Sequence, residues 1–280
     1  MAKYSVFFAH VNDLAREKNI SFDEAAAFVK NLGYEAFDCE YAYIKNNFDF
    51  YKGILDKFGF KTAAIPCFFH FDKGINTEII DDVLYISSKL DCKTILAIPG
   101  EFTTPEYFSG EFAPDDVNKE NYLNLMCEGL SLLCEKAEKF GITVTLEDFD
   151  SEYSPCATEK GLSYFFEKVP ALKFNMDTGN FIYMDLDTLE CVKLFKNKIS
   201  HVHLKDRSLV KNYADEPEKV TPGGNKLYPS PVGFGTIPMK ELTDLAKANG
   251  YEGYYSAENS CPIHMEEFLT KSIEWMKENI

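Results

Sequence analysis

The chain has 280 residues, 45% apolar and 26% charged, the balance of an ordinary globular enzyme, and a chain of this length buries about 75% of its unfolded surface without needing staples. Lys plus Arg number 29 against 45 Asp plus Glu, a net charge of −16; such a surface repels phosphate backbones and anionic lipid, which argues against nucleic acid or membrane as partner. The eight cysteines form no C-x-x-C pair, no apolar run reaches about 18 residues, and Met1-Ala-Lys-Tyr4 opens no signal-peptide core, so the chain reads as cytoplasmic with small buried thiols.

Strand and helix patterns alternate from end to end. Tyr4–Phe8 predicts the first strand, and Ser21 with Glu24 predicts a capping box opening a helix through Phe28 to Leu32. Ala36–Cys39 is the second strand, followed by a helix near Phe48–Phe58. Thr62–Pro66 is the third, with a helix near Thr77–Leu90. Thr94–Ile98 is the fourth; an irregular stretch to Asp116 then leads into a long helix over Asn118–Phe140. The last four strands are expected at Thr143–Glu147, Leu172–Asp177, Ile199–Leu204 and Gly253–Glu258. Their helices lie near Glu159–Val169, Asp187–Phe195, Met239–Ala248 and Met265–Glu278. Eight βα units imply a parallel sheet of α/β class and fit a (β/α)8 TIM barrel, for which about 250 residues is typical. An open doubly wound sheet is the rival, but no G-x-G-x-x-G follows the first strand. No linker interrupts the pattern, and residues 1–280 read as a single TIM-barrel domain. Two long connections, Gly100–Asp116 and Arg207–Pro238, follow strand C-termini and belong on the active-site rim.

The last four strands each finish in a possible metal ligand: Glu147, Asp177, His203 and Glu258. Side chains alternate faces along a strand. Glu147 therefore shares a face with Thr145 and Thr143, Asp177 with Asn175 and Lys173, His203 with His201 and Ile199, and Glu258 with Ser256 and Tyr254. Burying such groups together without a counter-charge would cost several kcal/mol per charge. A cation removes that penalty and keeps the carboxylates ionised. Three oxygen donors and one nitrogen, with no thiolate, favour one divalent metal ion of the Mn, Mg or Co kind and leave Zn open. His201 is either an outer residue orienting a ligand or a satisfied core histidine. His10 and His70 follow strands one and three and are candidate substrate contacts on the rim. Lys205 and Arg207 either grip a substrate oxygen or phosphate or are solvated rim charges. Phe102, Tyr107, Phe108 and Phe112 suggest a substrate lid or a homo-oligomer contact.

Together, Glu147, Asp177-Thr-Gly-Asn180, His201-Val-His-Leu-Lys-Asp206, Gly233-Phe-Gly235 and Glu258 resemble the signature of the sugar isomerase/epimerase superfamily with the xylose-isomerase-like barrel. The resemblance covers the whole chain in element order, and its specific motifs lie between positions 147 and 258. It implies a single divalent metal held by Glu147, Asp177, His203 and Glu258, with the two glutamates moving protons on opposite faces of the substrate. The family's D-x-x-H pattern ends here in Asn180, which leaves no imidazole at that point; Asn180 becomes a candidate substrate contact, as does Arg207. The expected activity is metal-assisted proton transfer beside a carbonyl of a sugar or sugar-like polyol. The metal would polarise the carbonyl, and Glu147 and Glu258 would be the catalytic proton carriers. Dehydration of the inosose type uses the same metal and base but expels a hydroxyl. An apurinic-site endonuclease would need three zinc ions and extra histidines; residues 207–238 contain none, and the net charge opposes DNA. A non-catalytic sugar-binding barrel is the last alternative.

Overall fold

A computed structural model describes residues 2–104, 117–260 and 263–280. In chain order the strands are β1 (Lys3–Phe7), β2 (Ala36–Asp38), β3 (Lys61–Phe68), β4 (Thr94–Ile98), β5 (Thr143–Leu146), β6 (Lys173–Asp177) and β7 (Ile199–Leu204). Three short strands, β8 (Asp206–Ser208), β9 (Lys219–Val220) and β10 (Lys226–Ser230), then leave the barrel before β11 (Tyr254–Ala257) completes it. Around the closed barrel the order is β1-β11-β7-β6-β5-β4-β3-β2, all parallel. The helices are α1 (Phe8–Lys18), α2 (Phe22–Leu32), α3 (Tyr41–Asn46), α4 (Phe48–Phe58), α5 (Thr77–Lys89), α6 (Val117–Glu138), α7 (Glu159–Lys168), α8 (Thr188–Phe195), α9 (Met239–Ala248) and α10 (Met265–Asn279). The expected (β/α)8 barrel is the fold observed. Among the described residues, no helix is long and apolar enough to cross a membrane.

The alternation of side chains along the last strands explains why they sit where they do. Val144 and Leu146, Phe174 and Met176, Val202 and Leu204, and Tyr255 and Ala257 are all buried in the apolar layer, with amphipathic helices supplying its other half. The intervening residues Thr145, Asn175, His201, His203 and Ser256 point the other way and are equally buried, so part of the barrel interior is polar. Register sets their heights: Asp177 and Ser256 are both level with His203, and Asn175 is level with His201.

Three features differ from expectation. The first strand ends at Phe7 and passes directly into α1, an additional helix before the capped α2. Its N-cap, Phe7, makes no side-chain cap bond, so the usual start signal is missing. The capping box of α2 is present as expected, Glu24 N–H donating to Ser21 Oγ and Ser21 N–H to a Glu24 carboxylate oxygen. A further short helix, α3, precedes α4. The connection 207–238 is not a plain loop, because β10 pairs antiparallel with both β8 and β9. Of the aromatic residues expected to form a lid or subunit contact, Tyr107, Phe108 and Phe112 lie outside the described residues. Phe102 is buried within the chain, its N–H donating to the Tyr153 carbonyl.

Candidate metal centre

The barrel brings the acids together. Glu147 follows the last residue of β5, Asp177 ends β6, His203 lies near the end of β7, and Glu258 follows β11, its N–H bonded to the Leu204 carbonyl. One donor atom each from Glu147, Asp177 and His203 lies within 4.8 Å of the others, and all three residues are buried. Glu258 completes the arc: its Oε2 stands 3.2 Å from His203 Nδ1, and Glu147 Oε2 stands 3.1 Å from the same nitrogen. The Asn175 amide donates to Glu147, and its nitrogen lies 3.0 Å from His203 Nδ1. Phe7 packs a ring edge against His203, with centroids 4.9 Å apart.

His203 is held from behind by a residue that the sequence reading passed over. Asp38, the last residue of β2 and fully buried, accepts from His203 Nε2 at 3.2 Å and from His201 Nε2 at 2.6 Å through Oδ2; its Oδ1 accepts from Ser256 Oγ at 2.7 Å. A carboxylate has no proton to give, so both imidazoles donate through Nε2. Nδ1 of His203 is therefore the nitrogen turned toward Glu147 and Glu258. His201 is thus an outer residue bridged to the candidate ligand through Asp38. Asp38, His201 and His203 form a second group of metal-competent donors, but these contacts already engage both Asp38 oxygens. The signal for Asp38 was partial: it is an acid in the expected strand Ala36–Cys39, but that strand finishes in a cysteine rather than a ligand.

The turn after β6 is built around the same point. Thr178 ties to β7 through its N–H to the His203 carbonyl and by accepting from Lys205 N–H at 2.9 Å. Gly179 N–H donates to Asp177 Oδ1 at 2.7 Å. A Cβ on Gly179 would stand 2.5 Å from the Lys205 carbonyl oxygen, so only glycine permits this approach. Asn180 is buried, its amide donating to the Asp148 carbonyl at 2.7 Å and its Oδ1 accepting from Lys205 Nζ at 3.0 Å. Lys205 is not a solvated rim charge: it is buried, its ammonium 2.9 Å from Asp177 Oδ2 and ion-paired with Glu258. Arg207 is buried too, donating from Nε to the Gly179 carbonyl at 2.9 Å and pairing with Asp150. The Gly233-Phe-Gly235 motif receives its explanation here: both glycine N–H groups donate to Asp206 Oδ2 at 2.9 Å. A Cβ on Gly235 would meet the Arg207 carbonyl at 2.5 Å.

The rim histidines differ from one another. His10 lies in the first turn of α1 rather than in a loop; it is buried, and its Nε2 accepts from Asn259 N–H at 2.9 Å, beside Glu258. His70 is exposed beyond β3, in a left-handed conformation and stacked on Phe68.

The electrostatics fit a cation. Burial opposes a charge on His203, but hydrogen bonds to Asp38, Glu147 and Glu258 outweigh it and hold the imidazole well above its ordinary range. Burial likewise opposes Glu258, yet Lys205 and His203 keep it well below the usual carboxylate range. Asp177 is pushed up to about 7 by burial, against the pull of Lys205 and with the push of Glu258 and Glu147. Its Oδ2 meets the Lys205 ammonium at 2.9 Å. Asp148, fully buried beside Glu147, is driven well above its ordinary range by burial, then by Asp177 and Glu147. A field that traps protons on so many groups is one that a divalent ion neutralises. Glu147, Asp177, His203 and Glu258 offer the oxygen and nitrogen donors that such an ion takes. Lys205 and Glu258 also line a cavity of about 440 Å³ with Asp150, Arg207, Lys219 and Asn259. A larger hollow, about 670 Å³, includes Gly141, Ile142, Pro170 and Lys173 at the N-terminal ends of β5 and β6, the end of the barrel away from these acids.

Comparison with known proteins identifies relatives of the same fold. The inosose dehydratase of Clostridium perfringens is 26% identical over 198 residues, a match spanning 65% of this chain and 61% of that protein's own length. A crystal structure of the probable 3-DHS dehydratase of Bacillus anthracis superposes with a TM-score of 0.71 at 15% identity, covering 98% of both chains. The D-allulose 3-epimerase of a Methylomonas species, solved with D-allulose, gives a TM-score of 0.69 at 13% identity over 100% of this chain and 97% of that one. The profile of the xylose isomerase-like TIM barrel family matches residues 26–279. Over nearly its whole length, then, this chain belongs to the xylose isomerase-like TIM barrel family.

Proposed function

We propose that the protein is a divalent-metal-dependent enzyme that moves a proton beside the carbonyl of a sugar or sugar-like polyol, giving isomerisation or epimerisation. One observation carries this reading: Glu147 and Glu258 approach His203 Nδ1 at 3.1 and 3.2 Å while Asp177 completes the donor group. In it, Glu147, Asp177, His203 and Glu258 hold the ion, which supplies Lewis-acid polarisation of the substrate carbonyl. Glu147 removes the carbon-bound proton and Glu258 returns one, or the reverse, each worth about 10²–10⁴-fold. Asn175 orients Glu147 by hydrogen bonding, and Asp38 fixes the tautomer of His203. Asn180 and Arg207 act from the turn after β6 and from β8, and His70 and His10 act from the rim, His10 by fixing the backbone after Glu258. The donor set favours Mn²⁺, Mg²⁺ or Co²⁺ over Zn²⁺.

A second reading shares the first step. The dehydratases among the relatives support expulsion of a hydroxyl after proton removal, and Lys205, an ammonium beside Glu258, is placed to protonate a leaving oxygen. Incubation with ketoses and inososes in D₂O, followed by NMR, separates the two. Deuterium at a retained carbon marks isomerisation or epimerisation, whereas loss of water marks dehydration. Glu147→Gln should abolish either while the barrel stays folded. Turnover surviving that substitution, or surviving complete chelation, would refute the mechanism.

A further inference from the structure

The cavity beside Glu258 gathers three cations in one wall. On a chain of net charge −16, its lining includes Lys205, Arg207 and Lys219. Arg207, on β8, is 4% exposed. Lys219, on β9, reaches the same place from across the excursion: its Nζ lies 2.7 Å from Asp150 Oδ2, donates to the Asp150 carbonyl at 2.7 Å, and stands 4.4 Å from the centre of the Tyr183 ring. Asp150 Oδ2 also pairs with the Arg207 guanidinium. One carboxylate therefore serves two cations. Glu218, the other acid of this wall, is taken by Lys226 at 3.0 Å and by the Tyr228 hydroxyl at 3.2 Å. Lys205 is matched separately by Asp177 and Glu258. Arg207 and Lys219 together thus carry one positive charge more than Asp150, the carboxylate they share. Among the described residues, protein atoms engage Arg207 through Nε and Nη2, which leaves part of its five-donor fork unspent. A guanidinium buried beside a second cation is costly unless an anion joins them, and its fork matches carboxylate and phosphate geometry.

We infer that Arg207 and Lys219 form an anion subsite, so that the substrate is an acidic sugar or polyol carrying a carboxylate or phosphate as well as its carbonyl. The inference rests on the proposed reaction, because Glu258 lines the same cavity and so places the anion and the reacting carbon on one small molecule. Asp150 shows that this pair holds a carboxylate. A substrate anion joins it there or takes its place.

The test is calorimetric titration of the full-length, Mn²⁺-supplemented protein with matched probes: quinate against myo-inositol, and ribulose 5-phosphate against ribulose. At least one anion should bind about tenfold or more tightly than its neutral twin, and Lys219→Met should weaken it about tenfold more than it weakens the twin. Preference for quinate alone identifies a carboxylate, and preference for ribulose 5-phosphate alone a phosphate. Equal binding within each pair, an equal effect of Lys219→Met on both members, or no saturable binding of either anion overturns the inference. Deuterium exchange on neutral ketoses without anion preference would sink the subsite and spare the reaction. Anion preference without metal binding or exchange would do the opposite.

Discussion

Replacing Asp38 by Asn removes a charge and keeps the shape. The Asn oxygen can take the position of Oδ2 and accept from both His201 and His203, now 2.6 and 3.2 Å away, while the amide nitrogen faces Ser256 Oγ across 2.7 Å. What is lost is the charge assistance. Hydrogen bonds to charged groups contribute about 1.5–3 kcal/mol and neutral ones about 0.5–1.5 kcal/mol, so two imidazole bonds lose about 2 kcal/mol together. In a chain of 280 residues that corresponds to a fall of about 3–4 °C in melting temperature, measured with chelator present. A second, separable effect falls on the metal. Carboxylates that accept from a ligating imidazole typically contribute about 10–100-fold in metal affinity, because they fix the tautomer and raise the basicity of the ring. Titration calorimetry with Mn²⁺ should show a loss of that size for Asp38→Asn and a larger one for Asp38→Ala, which also leaves two buried imidazole N–H groups unpaired. If Asp38→Asn binds Mn²⁺ within about twofold of the wild type, His203 is not positioned from behind and the assignment of Nδ1 to the metal fails.

Three other substitutions or treatments test the surrounding structure. Gly179→Ala would place a Cβ 2.6 Å from Lys205 Cγ and disturb the N–H that holds Asp177 Oδ1; it should cost about 1–3 kcal/mol in denaturant unfolding, and an unchanged midpoint would count against the close approach. Asp185→Ala removes the carboxylate that accepts from Thr221 Oγ1 at 2.9 Å, Gly223 N–H at 2.9 Å and Asn225 Nδ2 at 2.7 Å. Trypsin should then cut the 206–238 excursion about tenfold faster while the barrel persists, and unaltered cleavage would mean that other contacts hold the flap. Burial pushes the Cys127 thiol up to about 11 and those of Cys134 and Cys191 up to about 12. The thiolate is the reactive form, so a raised pKa suppresses reaction below it. At pH 8 about 0.1% of Cys127 is thiolate, and alkylation should accelerate about tenfold per pH unit toward 10. Peptide mapping that finds these three fully alkylated within minutes at pH 8, in folded protein, would contradict their burial.

The alternation of polar and apolar residues in β5, β6, β7 and β11 made both the barrel and its polar interior legible, because period-two patterning states which side chains share a face. It also set Thr145, Asn175, His201 and Ser256 on the faces of the candidate ligands above them, and all four are buried. Depth was harder to read. Lys205 continues the alternation of His201 and His203, yet a lysine near a strand end has room to reach solvent, and only the Thr178–Gly179 turn folded over it makes it a buried partner of Asp177 and Glu258. The α1 helix escaped notice because Phe7 offers no capping side chain, although Phe8, Val11 and Leu14 lie buried along it.

Closure is the larger lesson, since it creates contacts that no local pattern contains. His201 and Asp38 are 163 positions apart, and Ser256 and Asp38 are 218 apart. They meet because the order β2-β1-β11-β7 wraps the chain's first strands around to its last. The same logic explains Asp206, whose carboxylate is satisfied by backbone donors 27 and 29 positions later; the excursion between them is therefore a clasp, not a free loop. Arg207 and Lys219 sit on that clasp, while Glu147, Asp177 and His203 sit on the barrel strands or just beyond them. A family that keeps the barrel centre and varies the clasp can retain one proton-transfer chemistry while exchanging the substrates it accepts. In this chain, the clasp contributes Arg207 and Lys219 to the cavity beside Glu258.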